Sequence, residues 1–422
     1  MDGRSGVDKP IHIQLQSRST ASFNISAPGF NASGTVNPGT PVRVSFPTWL
    51  KTAHPDSEHQ EREIVENKGI HVTSTAPVSA VVYNTFSATI IGIGSFHASN
   101  DAYRALPTPM LGRDYFILGY KLTASGNPVH FVVVAVEDNT EVAIRDPGAA
   151  APRTTVMLNQ GQIFQRQTAV STLGADLSGT RITASKPVVV YASGRTLNVP
   201  EVGDAFSDYI VEQMLPIEQW GTEHLAVPLP TAGNDVYRAM ASEDGTNVTL
   251  RTASGDQVFV LNAGEFQQFE TDTPTRFISD RPITVQQYAK GISTGAGTGD
   301  PFQNTIVPLG SFPQRTRIFS LPWTEYTHYV SVVAHKDSLS TVLLDGLPLS
   351  GWVDFPAGPG GEYSAATTQL QSGEHVITSS AGVAAYSFGF TSYGSYAYPG
   401  GFAQRYPIFS EIRVTQSLAR EN

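Results

Sequence analysis

The sequence contains no cysteine among its 422 residues. This absence excludes a disulfide framework and any zinc site that relies on cysteine ligands. The folded state must therefore be held together by packing and hydrogen bonds alone. Because extracellular animal domains of this size often carry disulfides, the composition favours a bacterial surface protein or a cysteine-poor module of a larger protein.

Charged residues are also scarce, at 15% of the sequence, and the formal net charge is -10. Nucleic-acid binding needs a basic surface, so we expect no nucleic acid among the partners. Long apolar runs are missing as well, because no stretch reaches the roughly 18 apolar residues of a membrane-spanning helix. We therefore expect no membrane insertion.

The chain is rich in glycine and proline, with 38 and 28 residues, and 40% of it is hydrophobic. Polar and apolar residues alternate through 11–15 and 42–46, which is the period of a half-buried β-strand. Abundant turn formers between short alternating stretches are typical of an antiparallel fold. Composition and periodicity together predict an all-β protein.

One strand–turn–strand pattern occurs four times along the chain. Its turn positions are Pro77, Pro187, Pro282 and Gly382. Copies that follow each other at intervals of roughly 100 residues indicate tandem domains rather than a solenoid of small repeats. The last copy differs from the others in using glycine where they use proline.

Two further markers recur with the strand–turn–strand pattern. Short acidic or polar turns predict β-hairpins around 137–139, 243–245 and 335–338. A tripeptide that begins with Asn or Gln and ends with Gly lies at 37–39, 159–161, 262–264 and 371–373. Its glycine is expected to adopt a positive φ between strands.

The markers predict tandem β-sandwich-like modules packed into a compact array. The four modules are expected at residues 8–95, 114–200, 222–295 and 316–402. The last one carries a Tyr- and Gly-rich C-terminal cap that has no counterpart in the other three. Proline-containing connectors, such as Leu106-Pro107 and Leu215-Pro216, are expected to pack neighbouring modules together.

No catalytic motif stands out in the sequence. Gly291 to Gly295 matches Gly-x-Ser-x-Gly around Ser293, but the residues that follow cannot start the helix that a nucleophile elbow requires. His54 and His59 lie near Asp56 and Glu58 and are candidate metal ligands, but we interpret this charged stretch as a solvated connection. We expect a protein without enzymatic activity, and a carbohydrate-active enzyme that uses the array as a scaffold is an alternative.

Acidic residues cluster at two of the predicted hairpin turns, as Glu137 with Asp138 and as Glu243 with Asp244. Hard cations bind clustered carboxylate oxygens, so these four residues are candidate calcium ligands. Asp is also a preferred turn residue, because its side chain caps the local backbone. We expect the turn role and no cofactor, with calcium as the alternative.

The best candidate for a binding surface is the aromatic tail of the last module. Tyr393, Tyr396, Tyr398 and Phe402 lie close together among Gly and Ser residues. Tyrosine combined with small polar residues is suited to recognition, because its ring offers a large contact area at low entropic cost. We predict these four residues as ligand-binding, and packing at the edge of the module is the alternative.

The end of the chain resembles a known family. The residues that carry the resemblance are Gly373, His375, Tyr386, Gly389 and Phe390, followed by Ser-Tyr-Ala-Tyr-Pro-Gly-Gly at 395–401. Together with the connectors and the acidic hairpins, they make most of the chain similar to the N-terminal domain of the IgG-Fc-binding protein family, which is also found in bacterial surface proteins. The resemblance implies a secreted or cell-surface binding module without enzymatic activity, and it identifies no residues for Fc recognition.

The functional prediction is a non-enzymatic, extracellular or cell-surface module for binding or adhesion. It is expected to recognise a protein or a glycan through a broad surface rather than a pocket. A structural alternative is a self-assembling subunit of a surface fibre, sheath or appendage, in which the ligand is another copy of the chain.

Overall fold

The structure is a computed structural model. It describes residues 11–46, 63–85, 87–90, 94–97, 100–123, 128–169, 172–200, 207–230, 233, 235–291 and 299–403. His54, His59 and Ser293, which the sequence analysis considered for metal binding and nucleophilic catalysis, lie outside the described residues.

Antiparallel strands are the dominant secondary structure of the described residues, and the predicted all-β class is confirmed. The helical elements in these ranges are short 3-10 turns at Thr108–Met110, Ile217–Gln219, Leu309–Ser311 and Lys336–Thr341. None of the described helices is long and apolar enough to cross a membrane.

The strands before residue 105 form the first of four units. They are β1 (Ile11–Ser17), β2 (Ala21–Ala27), β3 (Phe30–Val36), β4 (Val42–Ser45), β5 (Val65–Asn67), β6 (His71–Ser74), β7 (Val78–Asn84), β8 (Ser87–Ile90), β9 (Gly94–His97) and β10 (Ala102–Arg104). Two sheets result, with strand orders β10-β7-β1-β4 and β3-β2-β6. Strands β8 and β9 form a separate hairpin, and β5 pairs with the second unit.

The second unit contains β11 (Gly112–Phe116), β12 (Val129–Ala135), β13 (Thr140–Arg145), β14 (Thr154–Leu158), β15 (Gln162–Gln167), β16 (Arg181–Leu197) and β17 (Asp208–Gln213). The third unit contains β18 (Gly221–Ala226), β19 (Asp235–Ala241), β20 (Thr246–Thr252), β21 (Gly255–Leu261), β22 (Phe266–Thr271), β23 (Thr275–Tyr288) and β24 (Gln303–Thr305).

The strands after residue 314 form the fourth unit. They are β25 (Arg315–Ser320), β26 (Thr327–His335), β27 (Leu343–Leu344), β28 (Leu347–Pro348), β29 (Val353–Asp354), β30 (Tyr363–Leu370), β31 (Gly373–Thr378), β32 (Val383–Thr391) and β33 (Gly394–Pro399). Their sheets have the orders β25-β31-β27-β28 and β29-β30-β26-β32-β33.

The same strand pairing recurs in all four units. In the second unit the first half of β16 pairs with β11 and β13, and its second half pairs with β12 and β17. Strand β23 repeats this pattern in the third unit. In the first and fourth units two successive strands take the place of the long strand. They are β6 followed by β7 in the first unit, and β31 followed by β32 in the fourth. The predicted domain boundaries stay a prediction, because strand pairing does not decide where an independently folding domain begins.

The turns predicted at Pro187 and Pro282 are wrong, because β16 and β23 run through these prolines as single strands. Pro187 lies between Ala184, the last partner of β13, and Val188, the first partner of β12. Proline lacks the N–H that a ladder needs, so it is tolerated at this unpaired point. Each long strand thus changes its pairing partners at the proline and joins the two halves of one sheet.

The closing strand of each unit lies at the centre of the molecule. We call β10, β17, β24 and β33 the inner strands. Strands β10 and β24 each contact both β17 and β33, so the four inner strands form a closed ring of contacts. At these contacts Asp101 Oδ2 accepts the Val211 N–H at 2.8 Å, and Glu212 Oε2 accepts the Thr305 N–H at 3.1 Å. The prediction that the aromatic tail has no counterpart is wrong, because β33 is the inner strand of the fourth unit.

Buried apolar clusters fill three of the four junctions between neighbouring units. Their ring pairs are Tyr120 with Tyr288, Phe302 with Phe390 and Tyr83 with Trp323, whose centroids lie 5.0, 5.9 and 5.6 Å apart. Such pairs contribute about 0.5–1.5 kcal/mol beyond the area they bury.

The connectors pack units together, as predicted. The Leu106 N–H donates to Gln213 Oε1 at 3.0 Å, which joins the first connector to the second unit. A Cβ on Gly112 would lie 2.5 Å from Cβ of Pro216, so the start of β11 touches the next connector. Only glycine fits at this contact.

Candidate functional site

The predicted aromatic binding surface is corrected by the structure, because three of its four residues are buried in apolar clusters. Tyr396 and Tyr398 are both 0% exposed. The Tyr396 hydroxyl lies 2.8 Å from Nδ1 of His328, and the Tyr398 hydroxyl donates to the Phe319 carbonyl at 2.7 Å. Rings held in this way stabilise the fourth unit and cannot form a recognition surface.

The other two residues of the aromatic tail have different environments. Phe402 is buried in the main apolar cluster at 8% exposure, which excludes it from a surface as well. Tyr393 is half-buried in the tight turn between β32 and β33. Ligand binding by Tyr393 therefore stays a prediction, without the neighbours that were expected to act with it.

The first acidic hairpin, at Glu137 and Asp138, is organised by backbone contacts. Asp138 Oδ1 accepts the N–H of Gln160 at 3.0 Å, inside the 159–161 tripeptide. Lys186 Nζ lies 3.9 Å from Glu137 Oε2 and donates a hydrogen bond to the Asp138 carbonyl oxygen. The ammonium group therefore sits beside both acidic residues, where a cation would have to bind.

The second acidic hairpin has the same design. Asp244 Oδ1 accepts the Ala263 N–H at 2.9 Å, and Arg281 Nη1 lies 3.9 Å from Glu243 Oε2. The predicted positive φ of the tripeptide glycine is confirmed, with +79° at Gly264. No group of three or more His, Asp or Glu side chains in the described ranges could hold a metal ion. The geometry favours the turn role.

A cleft of about 310 Å³ lies at the remaining junction, between the first and second units. One wall is the sheet made by β15, β12, the second half of β16, and β17. The other wall comes from β7 and β10, and residues 68–71 line one edge. This volume falls in the range of ligand sites, which are concave and mostly apolar.

The wall from the second unit is mainly apolar on both faces, and its polar lining residues include His130, Gln165 and Ser193. Val133 on β12 is fully buried in the core, whereas Val132 and Val134 are half-buried and line the cleft. The apolar lining side chains are Val82, Val132, Val134, Ile163, Val189 and Val211. A sheet face of this composition normally packs against a covering layer, because apolar surface left in water is unfavourable.

Four tyrosines line the cleft, from four different strands, and Tyr83 on β7 is one of them. Tyr103 on β10 meets Tyr191 on β16 with centroids 5.1 Å apart, and Tyr209 comes from β17. Burial raises the pKa of Tyr191 to about 12 and raises the pKa of Tyr103 well above its usual value. Both hydroxyl groups are therefore neutral at physiological pH.

The charged groups among the described lining residues are already engaged within the protein. Lys68 Nζ lies 2.9 Å from Glu66 Oε1. Both carboxylate oxygens of Asp101 accept backbone N–H groups, with Val211 as one donor. Burial lowers the pKa of His71, so its ring is neutral at pH 7. The cleft therefore offers an uncharged, apolar environment with aromatic faces.

None of the cleft residues was predicted from the sequence to bind a ligand. A signal was present in β12, which reads Val-His-Phe-Val-Val-Val-Ala rather than alternating strictly between polar and apolar residues. Such a run is typical of a strand that is covered on both faces. The covering layer itself comes from β7 and β10, and no local pattern identifies so distant a partner.

The fold and the cleft define an all-β protein of four sandwich-like units that are closed through their inner strands. The chain belongs to the IgGFc binding protein family, whose model matches residues 101–389. The match covers the second and third units completely and ends within β32.

A curated relative is the human (Homo sapiens) IgGFc-binding protein, which is 24% identical over 314 residues. The alignment covers 72% of this chain and 6% of the relative, so the chain corresponds to a small part of that protein. Among solved structures, a Streptomyces avermitilis alpha-L-rhamnosidase in complex with L-rhamnose is 9% identical, with 89% of this chain and 55% of that chain covered. Its TM-score of 0.12 supports no conclusion about shared fold or activity.

Proposed function

We propose that this chain is a non-enzymatic protein-binding module that acts outside the cell or at its surface. The observation that carries the proposal is family membership, since the matched range includes most of the four-unit ring. The human relative is named for binding the Fc part of IgG. The proposal takes from that name only the class of ligand, a folded extracellular protein.

The geometry supports a binding role in a second way. The described units form a closed ring with filled junctions, except at the cleft between the first and second units. A rigid scaffold that presents one apolar recess is suited to recognition, because little ordering is required on binding. Adhesion would follow if the partner is itself fixed to a surface.

The experiment is a binding screen of the purified chain against arrayed extracellular proteins, an IgG Fc fragment and a glycan array. We expect saturable binding to at least one protein and no binding to glycans. The heat-unfolded chain serves as the control for nonspecific adsorption. Binding to glycans alone, or hydrolysis of arrayed glycosides, would contradict the proposal.

Self-association is a second candidate, supported by an edge strand in the third unit. Among the described strands, β21 pairs with β20 alone, and its Val258 and Val260 are 68% and 60% exposed. An unpaired edge with apolar side chains can add a strand from another chain. Light scattering over a range of concentrations tests this candidate, since a constant monomer mass would contradict it.

A further inference from the structure

The cleft between the first and second units differs from the other junctions in what fills it. At the junction of the fourth and first units, Trp323 packs against Tyr83. At the junction of the third and fourth units, Phe390 packs against Phe302. At the first junction, Tyr103 and Tyr191 are also in contact, but a cavity of about 310 Å³ remains beside them.

We propose that this cavity binds an uncharged aromatic side chain that a protein partner presents. The inference rests on the proposed function, because it assumes that the partner is a protein. The chain itself shows what suits such a junction, since aromatic rings from a neighbouring unit complete the other three. The partner would supply a ring that fills the cavity beside Tyr103 and Tyr191.

The lining decides the class of the occupant. Val132, Val134 and Val189 are only half-buried, so an apolar ring that covers them gains about 25 cal/mol for each Å² removed from water. Tyrosine faces favour aromatic over aliphatic groups, through offset or edge-to-face contacts.

A charged occupant is unfavourable, because the charged side chains among the described lining residues are already engaged. Lys68 is paired with Glu66, and Asp101 accepts two backbone N–H groups. An ion in this site would lose its hydration without compensation. The occupant is therefore closer to the side chain of Phe, Trp or neutral Tyr than to that of Arg or Lys.

The first measurement uses N-phenyl-1-naphthylamine, an uncharged aromatic probe whose fluorescence rises in apolar sites. We expect saturable binding to the intact chain. Val132→Trp fills the cavity from β12 and should weaken probe binding at least tenfold. Val353→Trp makes the same change on strand β29, where Val353 is 56% exposed and outside the cleft, and it should leave probe affinity unchanged.

A second variant keeps the test decisive if Val132→Trp fails to fold. Val132→Thr has nearly the same size but places a hydroxyl group against the bound ring, so it should weaken probe binding several-fold. No probe binding to the intact chain would overturn the proposal. Equal probe affinity in Val132→Thr and the intact chain would overturn it as well.

The second measurement separates a partner's side chain from a free small molecule. Random peptides displayed on phage are selected on the intact chain and then tested for competition with the probe. We expect the selected peptides to share an uncharged aromatic residue and to displace the probe. They should also lose their binding to the Val132→Trp variant. Selected peptides that bind without displacing the probe would overturn the cleft proposal and leave the proposed function standing. Probe binding with no selected peptide would overturn the assignment to a protein side chain.

Discussion

The tyrosines of the last strand are held by their hydroxyl groups as much as by their rings. The Tyr398 hydroxyl donates to the carbonyl of Phe319 and accepts its N–H, at 2.7 and 2.6 Å. Burial lowers the pKa of His328, which keeps this ring neutral beside the Tyr396 hydroxyl. The hydroxyl groups of Tyr396 and Tyr398 therefore both have hydrogen-bond partners within the core.

We expect Tyr398→Phe to lower the free energy of unfolding by about 1–3 kcal/mol, because the buried backbone groups of Phe319 lose their partner. Tyr398→Ala should cost about 3–5 kcal/mol, since it also leaves a cavity. Urea unfolding followed by tryptophan fluorescence measures both. Tyr393→Phe, at a half-buried turn position, is the control and should hardly shift the midpoint. If Tyr398→Ala unfolds at the same urea concentration as the wild type, the ring of Tyr398 lies at the surface rather than in the core.

Composition could not predict this outcome, because tyrosine among Gly and Ser is equally compatible with a surface and with a strand core. The spacing of the two tyrosines indicates their environment better than composition does. Tyr396 and Tyr398 are two residues apart, so in a strand they share one face and one environment. That face covers β25 and β31 of the same unit, which only the tertiary structure reveals.

At the scale of elements, the turn chemistry was predictable and the continuity of strands was not. Gly161 and Gly264 adopt φ of +78° and +79°, as the tripeptide motif predicts. The bend at Pro187 was predicted as a break, because proline ends a ladder. Pro187 is compatible with one long strand, because it lies between the residues that pair with β13 and those that pair with β12.

Gly161 and Gly264 provide a matched pair for testing contacts between units. A Cβ on Gly161 would meet nothing within 4 Å, whereas a Cβ on Gly264 would lie 2.7 Å from Phe116 Cε1. Gly161→Ala should cost about 1–2 kcal/mol, because alanine is strained at positive φ. Gly264→Ala should cost about 1–3 kcal/mol more, because the ring of the second unit must move.

Thermal and urea unfolding of the two alanine variants measure this difference directly. Both substitutions carry the same backbone strain, so any excess in Gly264→Ala reports the contact between the second and third units. Equal destabilisation of the two variants would mean that Phe116 moves aside without cost. In that case the packing at this junction would be looser than the structure indicates.

At the scale of the whole molecule, the repeats predicted related units but not how they close. Closure depends on contacts between residues that are distant in sequence, such as Gln16 Nε2 donating to the Ile318 carbonyl at 3.1 Å. It also buries polar side chains on the inner strands, including Glu212 at 2% exposure. No periodic pattern distinguishes a ring of four units from an open row, and the cleft exists only in the ring.

Because closure of the four-unit ring buries Glu212, the free energy of unfolding should depend on pH. Burial raises the pKa of this carboxyl to about 8, from an ordinary value of 4.5. Between these values the unfolded chain has released the proton and the folded chain still binds it. The free energy of unfolding should therefore fall as pH rises from about 4.5 to about 8. Urea unfolding across this pH range measures the slope.

Glu212→Gln is the matched control, because it removes the titration and nearly preserves the shape. The carboxyl group accepts backbone N–H groups from Gln213 and Thr305, and an amide can accept only one of them. We therefore expect the variant to be less stable at pH 5, by about 1–3 kcal/mol, with a flatter slope towards pH 8. If the variant keeps the wild-type slope, another group controls the pH dependence, and Asp235, whose pKa burial raises to about 7, is the next to test. A flat wild-type profile would mean that water reaches the inner strands.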